Sequence, residues 1–398
     1  MTFTVAFVPG RSSRLDSPSL AIFLTSALLL LSACTSSDPP ASTEVTAPTP
    51  AVVASSAEEK VVNVYNWADY IEPSSLEKFT AATGIKVNYD VYDANEMLET
   101  KLLAGKSGYD VVVPSGGFID RQIKAGVFRK LDRSQLPNWS NLDPRILQRL
   151  TQHDPGNQYG VNYMWGTNGI GYNEARLKAI MPDAPVDSWR LVFDPAIASK
   201  FKDCGIAMVD SPSDLGFVVL AYLGKDPNSE SDEDLALVEQ TLMAIRPYVR
   251  TIHTVLYKDA LASGDACIAV GWSGDVMQAR DRAAELGKGD VIRYVIPKEG
   301  SLIWFDMLAI PADAPHPDNA HAFINFMQRP EIAAANSNFI KYANGNAASF
   351  PLIDESVRIN PGIYPPSEVS DKLSVDIPES NEYSRKLNRM WTRFVAGQ

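Results

Sequence analysis

From Val61 onward the sequence alternates between short β-type segments and helical segments, and no other feature constrains the fold as strongly. Residues 61–65 and 86–89 are extended in type, whereas residues 74–83 and 96–104 have helical periodicity. Residues 109–113 form a short apolar strand pattern that ends at a Pro-Ser-Gly-Gly turn. Alternation of this kind predicts an α/β fold.

The alternation resumes after a long extended segment. Residues 160–173 are rich in glycine and aromatic side chains, which is typical of a crossover between two lobes. A second α/β region follows, with predicted strands at residues 266–270, 291–296 and 302–310 and predicted helices at residues 319–327 and 331–336. A chain of 398 residues is long enough for two lobes of about 150 residues each.

Polar and aromatic side chains follow the predicted strands, at the edge where α/β sheets bind their ligands. The set consists of Trp67, Asp69, Tyr70, Ser115, Asp214, Trp272, Asp275, Trp304, Asp306 and Tyr342. Carboxylates neutralise desolvated ammonium groups, and aromatic faces contact methylene groups and attract cations by about 0.5–2 kcal/mol per contact. The set therefore predicts a ligand that has several ammonium groups joined by methylene spacers.

Each of these residues also has a purely structural interpretation. A tryptophan more often belongs to the core than to a ligand platform, and an aspartate after a strand often caps the next helix. Composition alone does not establish that the side chains converge.

The segment before Val61 indicates export. Arg11 and Arg14 precede an apolar run at residues 20–31, which is short for a membrane span but typical of a signal peptide. Residues 31–34, Leu-Ser-Ala-Cys, resemble the lipobox of bacterial lipoproteins, in which the cysteine thiol takes the lipid. We expect a lipoprotein signal peptide at residues 1–33 and lipidation of Cys34; the alternative is a single-span anchor with an incidental cysteine.

Residues 34–60 are rich in serine, threonine, proline and alanine, which predicts a flexible linker. The expected location is the periplasm or the outer face of the cytoplasmic membrane, with attachment through the lipid alone. Outside the cytoplasm two thiols in one domain usually pair, so Cys204 and Cys267 are expected to form a disulfide, with two buried free thiols as the alternative.

Composition and motifs argue against several classes of function. The formal net charge of −12 argues against nucleic-acid binding, and the four histidines and the cysteines lack the spacing of a metal site. Residues 271–274, Gly-Trp-Ser-Gly, resemble a nucleophile turn, but Asp275 stands where that motif needs glycine and no histidine is placed to activate Ser273. We therefore predict a binding protein, not an enzyme, with no cofactor or metal.

Several separated motifs resemble the periplasmic polyamine-binding proteins of bacteria, especially the putrescine-binding component of polyamine importers. The motifs are residues 66–71 (NWADYI), 113–115 (VPS), 169–173 (GIGYN), 224–229 (GKDPNS), 271–275 (GWSGD), 342–344 (YAN) and 360–366 (NPGIYPP). The resemblance spans residues 61–398. It implies a two-lobed type II periplasmic-binding-protein fold, a ligand cleft between lobes joined by crossover strands, and a Cys204–Cys267 disulfide.

The resemblance also implies lobe bounds and residue roles. Lobe 1 would contain residues 61–162 and 283–355, and lobe 2 residues 163–282 and 356–398. Asp275 and Asp306 would neutralise one ammonium end. The methylene chain would be lined by Trp67, Trp272, Trp304 and Tyr342. The other end would be held, directly or through water, by Ser115, Tyr70, Asp69 and Asp214.

Departures from the family pattern bear on the choice of polyamine. Ala68, in the binding set, replaces a usual serine or threonine, Asp214 replaces a usual glutamate, and Gly117 stands where some relatives have a larger side chain, so a roomier distal end is expected. Trp304 is typical of spermidine binders, whereas Ser211 stands where those proteins tend to have an aspartate. Asp376 lies near a position that approaches the distal end, where a carboxylate would serve a further ammonium.

The predicted function is the delivery of putrescine or spermidine by a monomeric lipoprotein to the membrane permease of an ABC transporter. The alternative is a sensor that reports polyamine occupancy to a membrane signalling receptor, because both uses require lobes that close over the ligand.

Overall fold

One long strand sets the architecture of this chain, whose computed structural model describes residues 58–398. This strand, Gly160–Asn173, takes different partners along its two halves. The strands in this part of the chain are β1 (Val61–Trp67), β2 (Lys86–Tyr92), β3 (Val111–Val112), β4 (Gly160–Asn173), β5 (Ile206–Met208), β6 (Val249–Ile252), β7 (Ile268–Trp272), β8 (Ile292–Val295), β9 (Ser301–Ala309), β10 (Ala343–Asn344) and β11 (Leu373–Ser374).

The helices confirm the alternation expected from the sequence. They are α1 (Ser74–Thr83), α2 (Asn95–Ala104), α3 (Gly116–Lys124), α4 (Pro144–Leu150), α5 (Glu174–Ile180), α6 (Arg190–Phe193), α7 (Pro195–Ala198), α8 (Pro212–Tyr222), α9 (Asp232–Ile245), α10 (Leu256–Ser263), α11 (Ser273–Glu285), α12 (Pro317–Met327), α13 (Pro330–Ile340), α14 (Glu355–Arg358), α15 (Ser367–Ser370) and α16 (Asn381–Ala396). Short 3-10 helices occur at Arg133–Gln135, Pro137–Asn141, Ser199–Phe201, Arg246–Tyr248 and Ala347–Leu352.

The strands are ordered β2-β1-β3-β9-β4-β7-β5-β6. β1 is parallel to β2 and β3, and β5 is parallel to β6 and β7, while β4 is antiparallel to both β9 and β7. Residues 160–167 of β4 pair with β9, and residues 168–172 pair with β7. β4 is therefore a crossover strand that supplies one central strand to each half of the sheet.

The lobe bounds stay a prediction. The pairing of β8 is informative for residues 283–300. β8 pairs with residues 170–173 of β4, in the same half of the sheet as β7. This pairing favours the assignment of residues 283–300 to lobe 2, although the predicted bounds place them in lobe 1.

Apolar side chains are buried against both halves of the sheet. In lobe 1, Phe79 of α1 packs edge-to-face on Phe323 and Phe326 of α12, at ring-centroid distances of 5.2 and 5.4 Å. In lobe 2, α8 is buried along most of its length because it lies between the sheet and the helices α9 and α16. The long buried strands and helices hold the loops at the strand ends in fixed positions.

Cys204 and Cys267 form the expected disulfide, with a Cα–Cα distance of 5.5 Å. The two cysteines precede the parallel neighbours β5 and β7, which pair from Ile206 and Ile268 onward. The disulfide therefore lies at the end of these strands opposite to the loops that carry Asp214 and Asp275.

The signal peptide, Cys34 and almost all of the predicted linker lie outside the described residues. Within residues 58–398, no helix combines the length and apolar character that a membrane crossing requires.

Candidate functional site

Asp275 is held at the start of a helix by two tyrosine hydroxyls. The helix α11 begins directly after β7, so Asp275 falls in its first turn, where the helix dipole favours a negative charge. Tyr342 donates a hydrogen bond of 2.7 Å to Oδ1, and Tyr257 donates one of 3.0 Å to Oδ2. The residue is buried, so its carboxylate is shielded from bulk water.

Asp306 lies on β9, and two hydroxyl groups hold its carboxylate as well. The Tyr70 hydroxyl donates to Oδ2 at 2.7 Å, and the Ser115 hydroxyl donates to Oδ1 at 2.6 Å. The pKa of Asp306 is raised to about 7, mainly because burial penalises the carboxylate more than the two hydroxyls stabilise it, and also because of the negative charges of Asp214 and Asp376.

The donors to these two carboxylates carry no charge. None of the ion pairs formed by residues 58–398 involves Asp275, Asp306 or Asp214. Buried ionised carboxylates without a cationic partner are costly. The arrangement therefore suits a ligand that brings its own positive charges.

Asp214 lies in the first turn of α8, which follows β5. The indole N–H of Trp272 donates a 2.7 Å hydrogen bond to Asp214 Oδ2. Burial raises the pKa of Asp214 above its usual value, although this hydrogen bond opposes the shift. Trp272 thus connects the Asp214 carboxylate to the aromatic side chains of the cleft.

Four aromatic side chains form one wall along the cleft. Trp67 meets Trp272 edge-on at 6.1 Å between ring centroids, Trp272 meets Trp304 at 6.4 Å, and Trp304 meets Tyr342 at 5.3 Å. Trp67 lies on β1 in one half of the sheet and Trp272 on β7 in the other, so the wall extends from one half to the other. Methylene groups that pass along this wall would contact ring faces and edges throughout.

The ring of Tyr342 packs directly against the backbone at Gly274. A Cβ atom at this position would collide with the ring of Tyr342, whose hydroxyl must reach Asp275 one residue further on. Glycine is therefore required by close approach at this point, not by backbone conformation.

The distal end of the cleft contains Asp376, which was expected near it from the sequence. A Cβ atom at Gly117 would collide with Asp376 Oδ2, so the space expected from this glycine is taken by the Asp376 carboxylate. Burial raises the pKa of Asp376 to about 6. Nε2 of the fully buried His153 lies 3.6 Å from Asp376 Oδ1, and burial lowers the pKa of this histidine to about 4.

Asp69 does not face the distal end of the cleft. Its carboxylate lies 3.2 Å from Lys258 Nζ of α10, and its side chain is 65% exposed. Ser115 and Tyr70 also differ from expectation, because both bind the Asp306 carboxylate instead of forming a separate end of the site.

The structure thus brings most of the predicted residues together around one cleft. Its lining contains Trp67, Ala68, Tyr70, Ser115, Asp214, Trp272, Asp275, Trp304, Asp306 and Tyr342. Sequence reasoning missed Tyr257, which orients Asp275, and Asn95, whose amide N–H donates to the Ser115 hydroxyl at 3.1 Å. Neither residue follows a strand directly, so the strand-end rule did not select them.

Sequence and structure comparisons place this geometry among known proteins. The profile of the bacterial extracellular solute-binding protein family matches residues 74–361. The putrescine-binding periplasmic protein SpuD of Pseudomonas aeruginosa is 50% identical over 349 residues, which cover 87% of this chain and 95% of that protein. The putrescine-binding periplasmic protein PotF of Escherichia coli is 46% identical over 344 residues, which cover 86% and 93%.

The fold comparison agrees with the sequence comparison. The spermidine/putrescine ABC transporter substrate-binding protein PotD of Streptococcus pneumoniae superposes with a TM-score of 0.71 at 30% identity, covering 85% of this chain and 99% of that one. The similarity confirms the predicted two-lobed type II fold. The relatives named here are binding proteins.

Proposed function

The chain belongs to the family of bacterial extracellular solute-binding proteins, and on that premise we propose that its cleft binds a linear polyamine for delivery to the permease of an ABC transporter. The ligand is putrescine or spermidine, and the similarity to two putrescine-binding proteins favours putrescine. The lobes close over the ligand, and the closed form is the state that a membrane partner distinguishes.

The pair of buried carboxylates carries this proposal. Asp275 and Asp306 each accept two hydrogen bonds, mostly from tyrosine hydroxyls, but neither has a lysine or arginine partner within residues 58–398. A primary ammonium group offers both the missing charge and three donors, and the aromatic wall offers apolar contact for the carbon chain that follows it. Asp275 and Asp306 do not suit a ligand carboxylate, because such a group needs a cationic partner.

The proposed roles follow from these contacts. Asp275 and Asp306 bind one ammonium, the aromatic wall lines the methylene groups, and Asp214 serves the other end of the ligand. Tyr70, Tyr257 and Ser115 position the carboxylates. Asp376 lies where a further ammonium of a longer polyamine would be neutralised.

We further propose that the protein is a monomer tethered through a lipid on Cys34. The Leu-Ser-Ala-Cys motif and the composition of the following segment support this anchor. A tether of about two dozen residues would keep the binding lobes near the membrane that contains the permease.

Calorimetric titration of the purified protein with putrescine, spermidine, cadaverine and spermine tests the proposed ligand class. Micromolar or tighter binding of putrescine or spermidine is expected, and both Asp275→Ala and Asp306→Ala should abolish it, because each removes one of the two carboxylates that together neutralise a desolvated ammonium. The control is Asp187→Ala, which removes an exposed carboxylate paired with Lys298. Absence of heat with all four amines would refute the proposal.

The anchor has an independent test. Intact-mass analysis of the membrane fraction should show a lipid-modified chain that begins at Cys34, and Cys34→Ser should release an unmodified protein from that fraction. A Cys34→Ser protein that stays in the membrane fraction would favour the single-span alternative.

A further inference from the structure

Lys258 is the lysine that lines the polyamine cleft, and it is buried. Its side chain is 9% exposed, and Nζ lies 3.2 Å from Asp69 Oδ2 and 3.1 Å from Gln278 Oε1. A buried ammonium group is costly unless it is paired and hydrogen-bonded, so these two contacts fix the position of the charge.

The contacts of Lys258 connect the two lobes. Lys258 and Gln278 belong to the lobe 2 helices α10 and α11, whereas Asp69 follows β1 of lobe 1. Asp69 has a φ of +55°, in the left-handed region, which turns its side chain out of the line of β1. The Gln278 side-chain amide also donates to Ile340 O at 2.8 Å, which ties the same point to α13.

Helix geometry places this charge close to Asp275. Gln278 follows Asp275 by three residues on α11, so the two side chains lie on the same face, with about 5–6 Å between their Cβ atoms. Tyr257, the neighbour of Lys258, donates to Asp275 Oδ2. A ligand ammonium bound at Asp275 would thus lie on the same side of α11 as the side chain that fixes the Lys258 charge.

We propose that Lys258 ends the polyamine site at Asp275, because its ammonium occupies the position that a further ammonium of a longer ligand would need. The proposal rests on the proposed polyamine function and makes Lys258 a specificity-determining residue. Like charges close to each other repel strongly where solvent is excluded. A triamine or tetramine must therefore extend from Asp275 towards the carboxylates of Asp214 and Asp376.

Substitution of Lys258 by methionine tests this assignment, because methionine keeps the length of the side chain and removes its charge. The readout is the ratio of the dissociation constants of spermine and putrescine, measured by calorimetric titration at one fixed salt concentration. In Lys258→Met we expect the dissociation constant of spermine to fall at least about fivefold relative to that of putrescine. The reason is that the repulsion between Lys258 and a ligand ammonium is removed and Asp69 loses its internal partner. Lys258→Arg should keep the wild-type ratio.

Two further variants distinguish the effect of the Lys258 charge from the effect of the inter-lobe contact and from that of the overall charge of the protein. Asp69→Asn breaks the same inter-lobe pair but keeps the Lys258 charge, so it should change the affinity for both amines by similar factors and leave their ratio within about twofold. Lys298→Met removes an exposed lysine that pairs with Asp187 and should leave the ratio unchanged. If Lys258→Met does not fold, Lys258→Gln takes its place.

The outcomes distinguish this proposal from the proposed function. If wild-type protein binds no polyamine, the proposed function fails. If polyamines bind but the ratio in Lys258→Met equals that of wild type, or if Asp69→Asn shifts the ratio as much as Lys258→Met does, Lys258 is not the residue that ends the site.

Discussion

Asp275 lies at the start of a helix and Asp306 lies on a strand, but their carboxylates are held in the same way. In each case two hydroxyl groups orient a buried carboxylate without neutralising it. The negative charge can therefore bind a ligand cation, but burying it destabilises the ligand-free protein. The raised pKa of Asp306 reflects this desolvation cost.

Asp306→Asn should weaken putrescine binding by at least about a hundredfold and, at pH 8, stabilise the ligand-free protein by about 1–3 kcal/mol. The gain is expected because the pKa of Asp306 is raised to about 7 in the folded protein, so the ionised form disfavours folding at that pH. Denaturant titration and calorimetry measure the two effects. Asp187→Asn is the surface control, and a variant that binds normally or is destabilised would contradict this account.

The affinity for putrescine should fall as the pH is lowered from about 8 to 6. A bound ammonium favours ionised Asp306, so binding releases a proton and the dissociation constant rises by up to about tenfold per pH unit below the pKa of about 7. The stability contribution of Asp306 in ligand-free protein has the opposite sign. Because its folded pKa exceeds its unfolded value, that contribution rises as the pH falls from about 7 towards 4.

Titrations in two buffers with different ionisation heats would count the released protons. Asp376→Asn is the matched variant, because it removes the other carboxylate with a pKa of about 6 and should reduce the pH dependence near that value. A dissociation constant that is the same at pH 8 and pH 6 would show that Asp306 does not change its protonation on binding.

At the scale of elements, helix starts present the carboxylates of lobe 2. The helices α8 and α11 begin shortly after β5 and β7, so Asp214 and Asp275 fall in their first turns. The disulfide holds the opposite ends of β5 and β7 together. A change at the disulfide should therefore alter the stability of this lobe without altering ligand binding.

The double variant Cys204→Ser/Cys267→Ser should lower the free energy of unfolding by about 4 kcal/mol, since the disulfide joins residues 63 apart in the chain. Its dissociation constant for putrescine should stay within about threefold of wild type, because the disulfide lies away from the cleft. Denaturant titration checks the first effect and calorimetry the second. Wild-type protein unfolded in excess reductant should match the double variant; a large loss of affinity would contradict the separation.

The sequence predicted elements well where local signals mark their ends. The helix α1 has its predicted bounds because Pro73 precedes it and Gly84, with a φ of +72°, ends it. β4 also has its predicted bounds. β3 is shorter than predicted, two residues instead of five, because pairing with its neighbours and not local propensity defines a strand end.

The site was predictable in its residue types but not in its pairings. Trp67 and Trp272 are 205 positions apart, and only the packing of the two lobes brings their rings together. The partner of Asp69 was missed because Lys258 lies on a helix face, where a lysine is normally exposed. Long-range contacts of this kind leave no periodic signal in the sequence.

At the scale of the whole molecule, the lobes meet through crossover strands and across the cleft. β4 pairs with β9 and with β7 along one continuous strand, while Trp67 and Trp272 meet between the lobes. Hinges of this type permit the lobes to open and close as rigid bodies.

Putrescine should therefore reduce the radius of gyration of the protein in solution. The ligand-free protein pays the repulsion among its cleft carboxylates on closing, and bound ammonium groups remove this cost. Small-angle scattering with and without putrescine measures the change, and Asp306→Asn provides the matched control, for which no change is expected. Equal radii for wild type with and without saturating putrescine would contradict ligand-driven closure.

The position of β9 in the sheet has a consequence for how the protein is made. β9 lies between β3 and β4, yet it consists of residues Ser301–Ala309. The half of the sheet that contains β1, β2 and β3 therefore lacks a central strand until residue 309 has left the ribosome, and β1 to β3 cannot complete their pairing before then. In a chain that is exported as proposed, this order of assembly would delay folding until most of the chain is available for passage through the export channel.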